Sequence, residues 1–135
     1  MARGRIGRGA EAELVERYRA RMTWPVQVTE LPDRGGKAPA LPGDSRKVLL
    51  DEGGQQLSSM QFADTLRAWR DAGVREARFL IGAADGLTAE ERAGAALTIG
   101  FGAATWPHLL VRAMLMEQLY RATTIIAGHP YHREG

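Results

Sequence analysis

The sequence predicts an α/β protein, one domain built on a parallel sheet. Two observations carry that prediction. Short apolar runs alternate with segments of helical periodicity from residue 11 to residue 126, the pattern of strand–helix–strand units. The run Val48-Leu49-Leu50 is continuously apolar, as a strand buried on both faces requires, and a glycine-bearing turn follows it.

Taken in order, Leu14, Val15, Tyr18 and Met22 recur at helical spacing and predict a helix from Glu11 to Met22. Pro25 forces extended chain, and Val26, Val28 and Leu31 alternate with polar residues as in a half-buried strand. Three prolines and three glycines between Pro32 and Gly43 predict a loop. A buried strand from Lys47 to Asp51 then ends at Gly53-Gly54. Ser58-x-x-Gln61 is a capping box for a helix carrying Phe62, Leu66 and Trp69, which Gly73 closes before a strand from Ala77 to Ile81. After the turn at Gly82–Gly86, Thr88-x-x-Glu91 caps a helix to about Ala96; a strand from Leu97 to Phe101 and a loop from Gly102 to Trp106 follow. The last element is a long helix from His108 to about Ile126. Its apolar residues, Leu109 to Val111, Ala113 to Met116, Leu119 and Tyr120, are too broadly spread for one stripe. Burial on two sides is expected, and in a chain of 135 residues the second side suggests a symmetric dimer.

Composition narrows the chemistry. The absence of cysteine excludes disulfides, thiolate zinc sites and cysteine nucleophiles. No apolar run reaches the roughly 18 residues of a membrane span, and the start is arginine-rich instead of signal-like, so a cytoplasmic protein is expected. Net charge is only +2, yet six arginines against three glutamates fall in the first 21 residues. That end can track phosphates or serve as an ordinary solvated helix face.

The loops at Asp51–Gly54, Gly82–Gly86 and Gly102–Trp106 follow successive strands, and ligands of parallel sheets bind beyond the strands' carboxyl ends. None carries a Walker lysine, so a nucleoside without phosphates suits them better than a nucleotide. Gly-x-x-Gly-x-Gly at Gly4–Gly9 is not the dinucleotide fingerprint in order or context, and there is no Gly-x-Ser-x-Gly nucleophile elbow. His129 and His132 suggest a metal-dependent hydrolase, but their spacing crosses Pro130 and no acidic cluster completes a ligand set; no metal is expected. His108 with Arg112 and Glu117 with Arg121 are four apart on the last helix, where surface ion pairs contribute little.

The segments Trp106-Pro107-His108-Leu109-Leu110-Val111-Arg112, Glu117-Gln118-Leu119-Tyr120-Arg121-Ala122 and Gly128-His129-Pro130-Tyr131-His132-Arg133-Glu134 carry more information. With Val48-Leu49-Leu50-Asp51, Leu57-Ser58-Ser59 and Phe79-Leu80-Ile81-Gly82, they resemble the bacterial pseudouridine N3-methyltransferases of 23S ribosomal RNA, minimal members of the SPOUT class. The resemblance implies a single SPOUT domain over residues 1–135 with a carboxyl-terminal trefoil knot, and a homodimer binding S-adenosylmethionine in a bent conformation. Carried over by position, Leu50, Gly82, Phe101, Gly102, Ala103, Ala104, Thr105 and Trp106 would contact the cofactor. The implied substrate is a pseudouridine of 23S ribosomal RNA at the subunit interface, recognised in the assembled ribosome. Tyr131, His132 and Arg133 are the substrate-side candidates, with His132 as proton acceptor and Arg133 against the developing charge; the other reading is that the tail only packs on the partner.

Three departures from the family stand out. An apolar strand usually precedes the segment matching Ala2-Arg3-Gly4, so either the frame extends upstream of Met1 or the strand is truncated and a sheet edge is exposed. The Pro32–Gly43 loop replaces a connection that often contains a helix, and Ala83 stands where many relatives have a second glycine. A non-catalytic RNA- or ribosome-binding protein retaining the fold is the competing reading.

Overall fold

A computed structural model of the chain describes residues 2–3, 9–22, 24, 30–31, 43–81, 88–102, 104, 106–128 and 131; the side chains of residues 2, 3, 30, 31 and 108 are not among what it describes. Five strands form one sheet: β1 (Ala2–Arg3), β2 (Glu30–Leu31), β3 (Ser45–Gln55), β4 (Glu76–Ile81) and β5 (Leu97–Ile99). The order across the sheet is β2-β1-β4-β3-β5, and every pairing is parallel. Four helices, α1 (Ala10–Arg21), α2 (Ser59–Asp71), α3 (Ala89–Arg92) and α4 (His108–Ala127), complete the described elements. Each of α1, α2 and α3 lies between two consecutive parallel strands, as parallel pairing demands of its connections.

The two capping boxes form as their sequences predict. Ser58 Oγ accepts from the Gln61 backbone N–H while Gln61 Oε1 accepts from that of Ser58, and Thr88 and Glu91 repeat the exchange. Gly73, at φ +87°, closes α2, and Gly128, at φ +75°, ends α4 in the left-handed conformation that glycine adopts without penalty.

Between α2, α4 and the sheet lies the main core, with Val48, Leu50, Phe79, Ile81 and Ile99 from the strands, Phe62, Ala63 and Leu66 from α2, and Leu115 and Ala122 from α4. Alternation along the strands turns Leu49 and Leu80 to the opposite face, where both are also buried, which accounts for the uninterrupted apolar run.

Four expectations need revision. β3 runs beyond Asp51 to Gln55, because Gln55 pairs again with Ile99 past an irregularity after Leu50. α3 is a single turn ending at Arg92, since Gly94 at φ +72° breaks it, and β5 stops at Ile99. Ala2–Arg3, a strand of only two residues, sits between β2 and β4 and meets β4 at Ile81 alone. The second apolar side of α4 is covered within the chain: Ala113, Met116 and Leu119 pack with Leu14, Val15 and Tyr18 of α1 and with Met22 just beyond it. The breadth of that apolar surface therefore does not itself require a partner. The strand at Val26–Leu31 is seen only at Glu30–Leu31, and the Pro32–Gly43 loop, except Gly43, lies outside the described residues, as does the turn at 82–87. Among the described residues, no helix is long and apolar enough to cross a membrane.

Candidate active site

Register places the ends of two strands level with the middle of a third. Leu50 is paired with both Ile81, the last residue of β4, and Ile99, the last of β5, so those two strands end on either side of it while β3 runs on to Gln55. With adjacent strands about 4.8 Å apart, the ends of β4 and β5 fall within roughly 10 Å of one another. Leu50 is itself buried at the floor of this edge, and Phe101 and Gly102 begin the loop after β5, half-buried. The turn at 82–87, with Gly82, and Ala103 and Thr105 lie outside the described residues.

Two glycines make the exit from β5 possible. A Cβ on Gly100 would stand 2.5 Å from the Asp51 carbonyl oxygen, and one on Gly54 would stand 2.6 Å from the Ile99 carbonyl carbon. Only bare backbone lets the 51–54 segment fold so tightly over the end of β5, where the Gly100 N–H donates to the Gln55 carbonyl at 3.0 Å. The loop beyond is held at its base, since Trp106 Nε1 donates to the Phe101 carbonyl at 3.2 Å. Gly102 takes φ +106°, a conformation that disfavours any other residue. Ala104 and Trp106 are exposed, the indole by 43%.

β3 also holds α3 in place. Arg92 Nη1 lies 2.8 Å from Asp51 Oδ2, and this hydrogen bond keeps the Asp51 carboxyl below its ordinary range against the opposing effect of burial. Lys47 Nζ donates to the Glu91 and Ala93 carbonyls at 3.2 and 2.8 Å, capping the carboxyl end of α3. No local pattern announces these contacts, which join residues more than forty positions apart.

At the other end of α4, Gly128 reverses the chain and Tyr131 returns along the helix. The Tyr131 hydroxyl donates to Glu117 Oε1 at 3.3 Å, its ring meets Tyr120 edge-on at 4.7 Å, and the Arg121 guanidinium lies 4.9 Å from the ring centre. Burial first, then a hydrogen bond with Tyr18 and the nearby Glu117 charge, push the phenol up to about 12. Tyr131 is therefore a neutral phenol at physiological pH, unable to serve as a phenolate base. Glu117 and Arg121, expected as a surface pair, are half-buried at 2.6 Å, and Arg112 is buried at 3% exposure. Their environment depends on α1 and the tail, which a helical spacing cannot report. His132 and Arg133 lie outside the described residues, as does His129. Among the described residues, no group of three or more His, Cys, Asp or Glu is placed to hold a metal ion.

The whole arrangement has relatives. A family model described as "Predicted SPOUT methyltransferase" matches residues 1–132. A protein of Sphingopyxis alaskensis named Ribosomal RNA large subunit methyltransferase H is 68% identical over 135 residues, covering 100% of this chain and 95% of the relative. Proteins of the same name from Rhizorhabdus wittichii and Zymomonas mobilis are 62% and 59% identical, each match covering 100% of this chain and 96% of the relative. The chain belongs to the SPOUT methyltransferase family.

Proposed function

We propose that this protein uses S-adenosylmethionine to methylate N3 of a pseudouridine in 23S ribosomal RNA, acting on the ribosome in the cytoplasm as a homodimer of single-domain, trefoil-knotted chains. The observation that carries the reading is the match along the full chain to relatives named as large-subunit ribosomal RNA methyltransferases.

The residues at the strand ends suit the cofactor. Leu50 and Phe101 offer apolar surface beside backbone polar groups, Gly102 permits close approach, and neither Asp51–Gly54 nor Phe101–Trp106 contains the lysine that phosphates would call for. Leu50, Gly82 and residues 101–106 would hold S-adenosylmethionine, whose sulfonium makes its methyl group electrophilic. The chain's main contribution is alignment of the two reactants. His132 would take the imide proton so that N3 could accept the methyl group the cofactor supplies, and Arg133 would steady the negative charge on the ring. Tyr131, with its hydroxyl committed to Glu117, anchors the tail on the substrate side.

Dimerisation is supported by a distance. Glu117, where Tyr131 docks, lies nine residues beyond the start of α4, about 14 Å along the helix axis. A partner's tail is then the natural completion of the cofactor loop.

The reading is tested by assaying methyl transfer to purified ribosomes with the native protein and His132→Ala. A fall of about 10²-fold or more is expected for a lost proton acceptor; undiminished turnover removes His132 from the reaction. Calorimetry with S-adenosylhomocysteine separates an enzyme from a non-catalytic ribosome-binding relative, which need not bind it.

A further inference from the structure

Glu117 sits in the middle of α4 with donors on both carboxylate oxygens. Oε1 accepts from Arg121 Nε at 2.8 Å and Nη2 at 2.6 Å and from the Tyr131 hydroxyl at 3.3 Å. Oε2 accepts from Gln118 Nε2 at 3.0 Å, and Gln118 Oε1 in turn accepts from Ser59 Oγ, at the start of α2, at 2.9 Å. The carboxylate side chain is only 20% exposed. A half-buried charge is costly unless its oxygens are well paired, and this pairing draws on α2, α4 and the tail together. The ring of Tyr131 packs against the Arg121 guanidinium and Tyr120, whose ring lies 5.9 Å from that of Tyr18 of α1, and Tyr131 also shares a side-chain hydrogen bond with Tyr18.

We propose that Glu117 is a positioning residue for methyl transfer: by locking the Tyr131 phenol and the Arg121 guanidinium against each other, it anchors the residue that immediately precedes His132 and Arg133 in the chain. Consecutive Cα atoms are about 3.8 Å apart, so an anchor on Tyr131 acts one covalent step from the candidate proton acceptor. A stray of about 1 Å at a reacting group can cost 10²-fold in rate. Gln118, steered by Ser59, keeps the carboxylate turned so that Oε1 serves both partners. This inference rests on the reading that residues 131–133 face the substrate.

The test compares Glu117→Gln, which keeps shape and removes charge, with Gln118→Leu, which keeps the charge and removes its second donor. Full-length variants are assayed on ribosomes for kcat and for KM toward S-adenosylmethionine, and the Tyr131 ring carbon Cζ is followed by NMR of ¹³C-tyrosine protein. Glu117→Gln is expected to lower kcat about 10- to 100-fold with KM for the cofactor within about twofold, while the Tyr131 resonance moves. Gln118→Leu should shift the same resonance and lower kcat less. An unmoved Tyr131 resonance overturns the proposal, and so does full turnover by Glu117→Gln when His132→Ala is inactive. If both Glu117→Gln and His132→Ala keep full turnover although the resonance moves, the underlying reading of the tail has failed and takes the proposal with it.

Discussion

Replacing Gly100 with alanine probes the joint on which the loop after β5 depends. The added Cβ would stand 2.5 Å from the Asp51 carbonyl oxygen, 3.3 Å from that of Glu52 and 3.4 Å from the Gly54 nitrogen. All three neighbours are backbone, so no side chain can swing aside. Restoring ordinary contact with Asp51 requires β3 and β5 to part by roughly 0.9 Å, a displacement typical of overpacked sites costing about 1–3 kcal/mol. The bond from the Gly100 N–H to Gln55, now 3.0 Å, would stretch with it. Gly53 supplies the matched control: it lies in β3, in the segment that Gly100 approaches, with nothing within 4 Å of an added Cβ. Urea unfolding followed by circular dichroism should show Gly100→Ala destabilised by about 1–3 kcal/mol, a drop in melting temperature of roughly 4–12 °C for this size. Gly53→Ala should stay within about 1 kcal/mol of the native protein. S-adenosylhomocysteine affinity should weaken in Gly100→Ala alone, because only that change displaces the loop opening at Phe101. Equal stability and equal affinity for the two variants would refute the argument that close backbone approach builds this edge.

Two further outcomes follow from the same edge. Gly102→Ala, with open space around the new methyl but φ at +106°, should lose about 1–2 kcal/mol through backbone strain alone; unfolding that matches the native curve would show that the loop relaxes at no cost. Asp51 titrates below its ordinary range when folded because Arg92 binds its charged form, so its contribution is present above the unfolded value of about 3.9 and disappears as pH falls through the lower folded value. The pair is partly exposed, which limits that contribution to about 1 kcal/mol or less. Asp51→Asn should accordingly flatten the acid limb of stability against pH below about 4, and an unchanged limb would remove the bridge from the account.

How far the sequence speaks is visible residue by residue. Val48-Leu49-Leu50 announces a strand buried on both faces because burial acts on every side chain of the run, and Ser58-x-x-Gln61 announces a helix start because a capping box is a local exchange of hydrogen bonds. The ends of β4 at Ile81 and β5 at Ile99, level with Leu50, follow from strand order and register, which no single segment contains. Gly54 and Gly100 are legible as glycines but not as close contacts, since their neighbours come from a different strand. The breadth of apolar surface on α4 is legible, whereas its covering by α1 in the same chain is a fact of packing. Glu117 and Arg121 show their spacing in the sequence; that Tyr131 closes over them depends on the reversal at Gly128. The tail motif identifies the family, while the roles of its residues rest on three-dimensional contacts made between α1, α4 and the carboxyl end.

The most direct measurement is the position of the transferred methyl group. Ribosomes lacking large-subunit pseudouridine methylation are incubated with the protein and methyl-labelled S-adenosylmethionine, and the RNA is digested and mapped by mass spectrometry. Label at N3 of one pseudouridine of the 23S RNA, lost when the cofactor is omitted, is the predicted result; a protein that binds S-adenosylhomocysteine yet leaves that RNA unlabelled, or labels another nucleotide, would contradict the account.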